Sequence, residues 1–155
     1  MRRILFALVA LAGLSLPAFA QSFDETVSYI QDRCVGQTVE YGEARQSTGG
    51  VRRSSTLLAF NADEGGSIEF RRTGTTGTIR SDHRVSLSDV VSVEHTGQNK
   101  IVIRARPDSS QSDWLDDDRG AYPGSGIDFY CPTPDRIVRA LQHLVSFAGD
   151  DPFAN

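Results

Sequence analysis

Three histidines, two cysteines and a run of aspartates are the side chains of this 155-residue chain best suited to chemistry. His83, His95 and His143 lack the H-E-x-x-H spacing that seats a catalytic zinc. A hydrolase triad can be composed from Ser125, His83 and an aspartate, because a triad is defined by geometry and not by chain order. Against that, Gly124-Ser125-Gly126 lacks the G-x-S-x-G form of a nucleophile elbow and leads into a strand where that motif would lead into a helix. Gly74-Thr75-Thr76-Gly77-Thr78 has no P-loop lysine and no following helix, so it reads as a hairpin turn.

The densest charge lies in Asp113-Trp114-Leu115-Asp116-Asp117-Asp118-Arg119-Gly120, inside a Ser, Asp and Gly-rich stretch over 107–125. Grouped carboxylates suit calcium. The EF-hand pattern fails, however: counted from Asp116, Ala121 stands where its glycine is required and Ile127 where its closing glutamate belongs. The stretch is expected to be a solvated acidic loop, with Trp114 and Leu115 either anchoring it to the core or standing out as a contact patch. No metal, cofactor or catalytic residue is expected.

Residues 1–20 set the compartment. Met1-Arg2-Arg3, the apolar run Ile4 to Leu16 and the closing Pro17-Ala18-Phe19-Ala20 have the three regions of a secretory signal, with cleavage expected at about Ala20/Gln21. The expected product is one exported domain over 21–155, periplasmic or extracellular, soluble and not membrane-spanning. Cleavage removes two of the 16 basic residues and none of the 20 acidic ones, for a net charge of −6. That balance argues against a nucleic-acid partner. In an oxidising compartment the two cysteines, Cys34 and Cys131, are expected to form one disulfide.

Charge is unevenly spread. Residues 45–106 carry ten basic and six acidic side chains, and every basic residue of the chain except Lys100 is arginine. If one of Arg52 and Arg53, one of Arg71 and Arg72, Arg104 and Arg106 share a face, they form an anion-attracting surface for envelope lipid headgroups, acidic glycans or an acidic partner. The candidate interaction surface is therefore Arg71, Arg104, Arg106, Trp114, Asp116 and Asp118.

These residues must be positioned by short elements. Ser22-Phe23-Asp24-Glu25 has capping-box form, and Phe23, Val27, Ile30 and Cys34 follow on one helical face that Gly36 ends. Runs rich in Val, Ile, Thr and aromatics then predict antiparallel strands near 37–45, 52–60, 67–73, 76–80, 83–87, 90–96, 100–106 and 126–131. Thr133 as N-cap and Pro134 at the first position open a last helix, whose apolar face is Ile137, Val138, Leu141, Leu144, Val145 and Ala148 and whose stop is Gly149. Helix, strands and closing helix, with no β-α-β alternation, make an α+β class.

Val85-Ser86-Leu87-Ser88-Asp89-Val90-Val91-Ser92-Val93, the strand from Lys100 to Arg106, Ile127-Asp128-Phe129-Tyr130-Cys131 and the helix ending Leu141-Gln142-His143-Leu144 carry a resemblance. The chain resembles small exported bacterial proteins of uncharacterised function with a pleckstrin-homology-like fold. The resemblance implies an antiparallel β-roll or partly closed barrel of about seven strands, plugged by a C-terminal helix. It implies no reaction. The leading expectation is thus a non-catalytic exported module that contacts a protein or envelope component by its sheet face or its 107–125 stretch. A small periplasmic hydrolase and a small-ligand carrier using the roll interior are the alternatives.

Overall fold

A computed structural model describes residues 21–43, 51–74, 79–116 and 120–148. The fold is α+β. Helix α1 spans Phe23–Cys34, and nine strands follow among the described residues: β1 Thr38–Glu43, β2 Val51–Ala62, β3 Ser67–Thr73, β4 Arg80–Ser86, β5 Val90–His95, β6 Lys100–Ala105, β7 Ser110–Trp114, β8 Ala121–Gly124 and β9 Gly126–Tyr130. Helix α2, Pro134–Phe147, ends the order. The strands form two antiparallel sheets, β1-β2-β3-β4-β7-β8 and β5-β6-β9, and no barrel closes.

Both helices follow from local chemistry. Ser22 Oγ accepts from the Glu25 N–H at 3.2 Å while the Glu25 carboxylate accepts from the Ser22 N–H at 2.9 Å, a complete capping box. Thr133 occupies the N-cap of α2 without a side-chain bond, leaving Pro134 to set the start. Described structure ends at Ala148, so the expected stop at Gly149 lies outside it. Phe23 and Phe147 meet edge to face at 5.5 Å, and the Cys34–Cys131 disulfide joins the end of α1 to the segment entering α2.

The sheets are made to curl at defined points. β2 pairs with β1 through its first half and with β3 through its second, and the register shifts between Leu57 and Ala59. One extra residue at Leu58 bends the strand there, as a bulge does. The chain changes sheets at the short 3-10 turn Leu87–Asp89, returns after β6, and crosses again at Ser125. At that last crossing the Ser110 hydroxyl accepts from the Gly126 N–H at 3.1 Å. Gly126 is required there, since an added Cβ would stand 2.8 Å from the Ile103 carbonyl oxygen.

Two sequence expectations change. The stretch 107–125 is not a loop throughout: β7 and β8 form a hairpin continuing the large sheet, with Ser112 opposite Tyr122. The segments expected near 76–80 and 83–87 give one strand, β4, through Ser81 and Asp82, and residues 76–78 lie outside the described structure. The core between the sheets and helices is filled by Phe60, Phe70, Phe129, Ile30, Leu57, Ile68, Leu87, Ile101, Ile103, Ile137, Leu141 and Leu144. Such a filled interior offers no support for a ligand-carrying roll.

Candidate functional site

Alternation places two polar systems on opposite faces of the large sheet. Facing inward are Arg72, Ser81, His83 and Ser110, all buried. The Arg72 guanidinium donates from Nε to His83 Nε2 at 3.2 Å, and its Nη1 stands 3.6 Å from Asp128 on β9. Ser81 Oγ lies 2.8 Å from the same His83 Nε2, and Ser112 Oγ lies 2.9 Å from Nδ1. Burial, with the nearby Arg72 charge adding to it, pushes the His83 imidazole down to about 4, so it is neutral at pH 7.

A serine hydroxyl on an imidazole nitrogen is the geometry of a nucleophile and its base. Three features argue against that chemistry. Ser81 is 0% exposed, so no substrate reaches it. The lone pair of Nε2 is shared with the Arg72 N–H, and Nδ1 faces a hydroxyl where a triad has a carboxylate. The cluster instead ties β3, β4 and β7 to β9 across the two sheets. Ser125, named beside His83 from the sequence, is exposed in the crossing between β8 and β9 and is not among the His83 partners. His95 Nδ1 contacts Asp135 Oδ1 at 2.9 Å and His143 Nε2 contacts the Gln21 carbonyl at 2.7 Å. Among the described residues no group of three or more His, Cys, Asp and Glu is placed to hold a metal.

The outward face carries a trough of about 430 Å³. Register makes its floor two transverse rows of cross-strand neighbours. One row runs Ala59, Arg71, Asp82, Asp113, Ala121, and the other Asn61, Glu69, Arg84, Gln111. Arg71 holds Asp82 in a two-pronged bond, Nε to Oδ1 at 2.6 Å and Nη2 to Oδ2 at 2.8 Å. That bond draws the Asp82 carboxyl below the usual carboxylate range. Arg84 Nε stands 3.1 Å from Glu69 Oε1. Neighbouring pairs of opposite sense therefore hold most of the trough's charge in mutual contact.

The remaining candidate residues are dispersed. Arg104 pairs with Glu94 at 3.3 Å on the small sheet and Arg106 with Asp89 at 3.4 Å just beyond it, whereas Arg71 belongs to the large sheet. The three arginines are not gathered into one patch. Trp114 is half-buried, donates from Nε1 to the Tyr122 hydroxyl at 2.8 Å, and lies against Gly74. Asp116 accepts from the Arg80 backbone N–H at 2.8 Å and from Arg80 Nη2 at 2.9 Å, and that hydrogen bonding holds its carboxyl down at about 2. Asp118 lies outside the described residues. Leu115 and Tyr122 are exposed beside Trp114 at this end of the sheet.

Glu69, Asp82 and Arg84 were not singled out by the sequence, and Asp113 was noted only as part of the acidic stretch. Their one available signal was alternation of charge within 67–73 and 80–86, which cannot identify cross-strand neighbours. Cys34 and Cys131 are disulfide-bonded, as expected, and among the described residues no helix is long and apolar enough to cross a membrane. Comparison of the chain with protein-family models, with curated proteins and with solved structures finds no match.

Proposed function

We propose that this chain is an exported, non-catalytic binding module that contacts a protein or another envelope component through the outer face of its six-stranded sheet. The trough carries this reading: it is an open concavity on a rigid sheet, floored by paired charges and small residues. Rigid elements hold contact groups more accurately than loops do. Export is supported by the signal-like residues 1–20 and by a disulfide of the kind oxidising compartments allow. The filled interior and the closed Ser81–His83 cluster turn attention away from the carrier and hydrolase readings.

A photo-reactive residue tests the surface directly. Placed at Ala121 or Ala59 in cells exporting the protein, it is expected to give a discrete crosslinked species on illumination; placed at Val91, exposed on the small sheet, it is not. Crosslinking from Val91 alone, or from no position, overturns the assignment.

A further inference from the structure

The trough's two rows do not balance. Among its lining residues are three acids, Glu69, Asp82 and Asp113, and two bases, Arg71 and Arg84. Both bases are already engaged, Arg71 by Asp82 and Arg84 by Glu69. Asp113 is different: no hydrogen bond or ion pair joins its side chain to another described residue. It also lies directly opposite Asp82 across the β4–β7 ladder. Like charges in directly opposed positions destabilise a sheet, while opposed charges of unlike sign stabilise it. A local violation of that kind, in a face otherwise obeying the rule, marks a functional position.

The surroundings of Asp113 define what it accepts. Its neighbour on β8 is Ala121, whose side chain ends at Cβ and leaves the carboxylate open to the trough. Beside it along β7 is Gln111, whose amide completes a polar floor. An anionic occupant would have to displace Asp82 or Glu69 from an arginine and would meet the Asp113 carboxylate, which no described residue pairs. A cationic occupant displaces nothing and relieves the Asp82–Asp113 opposition. The longer row crosses five strands, a span of about 19 Å at the usual strand spacing, which fits an extended segment of about six residues.

Resting on the reading of the trough as the contact surface, we infer that its occupant is an extended polypeptide segment whose arginine or lysine side chain is seated on Asp113. Hydrogen bonds to a charged group at this point supply selectivity for a basic residue, and the paired charges of the two rows supply contacts for its polar backbone.

Capped hexapeptides of alanine and serine with one central arginine, lysine or citrulline serve as probes, titrated into the isotope-labelled protein isolated after export. The arginine and lysine peptides are expected to shift the amide resonances of Ser112, Asp113 and Ala121, with citrulline, which has the shape of arginine without its charge, binding at least ten-fold more weakly. Asp113→Asn should lose the same ten-fold, while Asp63→Asn, in an exposed turn, should bind as the parent does. The spectrum of each variant reports that it is folded. Equal binding of citrulline and arginine at the trough overturns the basic-residue inference and leaves the trough standing as the contact surface. Shifts confined to other faces, or none, overturn both.

Discussion

Arg72 Nε and His83 Nε2 are joined at 3.2 Å in the interior of the protein, and the chemistry of the guanidinium decides the tautomer of the imidazole. Arginine has only donors, so Nε2 must accept and the ring proton must sit on Nδ1, directed at the Ser112 hydroxyl. Nitrogen-resolved NMR at pH 7 is expected to find His83 neutral and protonated at Nδ1.

That burial makes stability depend on acidity. With the folded-state value about 4 and the ordinary value 6.5, the unfolded chain binds the His83 proton first as pH falls. The contribution is therefore fully present above about pH 6.5 and is lost progressively toward pH 4, by roughly 3 kcal/mol. Urea denaturation at pH 7 and pH 4 should show the parent losing roughly that much more than His83→Gln, a difference that cancels the carboxylates common to both. Equal losses would mean that His83 does not titrate as its surroundings require.

The disulfide spans a sequence separation of 97 residues. Constraining so long a loop in the unfolded chain is worth about 4 to 5 kcal/mol on the chain-entropy account. The double substitution of Cys34 and Cys131 by serine should lower unfolding free energy by about 4 kcal/mol. Thiol labelling of the native protein should find no reactive cysteine.

Gly126 and Gly42 provide an internal contrast. A methyl group at Gly126 would meet the Ile103 carbonyl oxygen at 2.8 Å and Arg104 Cα at 3.4 Å, both backbone atoms of the strand it pairs with. Gly126→Ala should therefore destabilise by about 1–3 kcal/mol, as overpacking does. At Gly42 nothing lies within 4 Å of the added carbon. Gly42→Ala should be neutral or stabilising by about 0.4–1 kcal/mol, read by the same denaturation curves.

Asp116 is tied to the first residue of β4 by both its backbone and its side chain. Hydrogen exchange should find the Arg80 amide protected in the parent and exchanging faster in Asp116→Asn, with core amides such as Phe129 unchanged. Because its carboxyl is held down at about 2, the contact persists as pH falls past the ordinary value of 3.8 and is lost only on approach to pH 2.

The two helices were legible in the sequence because capping chemistry and apolar spacing act within one element. Strands β2, β3, β5, β6 and β9 were legible for a similar reason, each burying apolar side chains. β7 was not, because it turns Ser110 and Ser112 inward, residues that read as loop: Ser110 bonds to Gly126 and Ser112 to His83. Ser81 and Asp82 misled in the same manner: typical of turns by type, they stand mid-strand because Ser81 bonds to His83 and Asp82 to Arg71. The disulfide followed from cysteine count and compartment. The trough did not, since its rows exist only once five strands are in register, and the bulge at Leu58 that helps set that register has no distinctive residue.

Every strand from β1 to β9 lies within the covalent ring closed at Cys34 and Cys131, and both helices are tails outside it. One backbone cut anywhere in the strand region therefore leaves a single covalent molecule. In the oxidised but unfolded chain the helices are already neighbours, so the encounter of Phe23 with Phe147 has become a local event. Docking of the helices need not wait for the slow non-local pairing of the sheets.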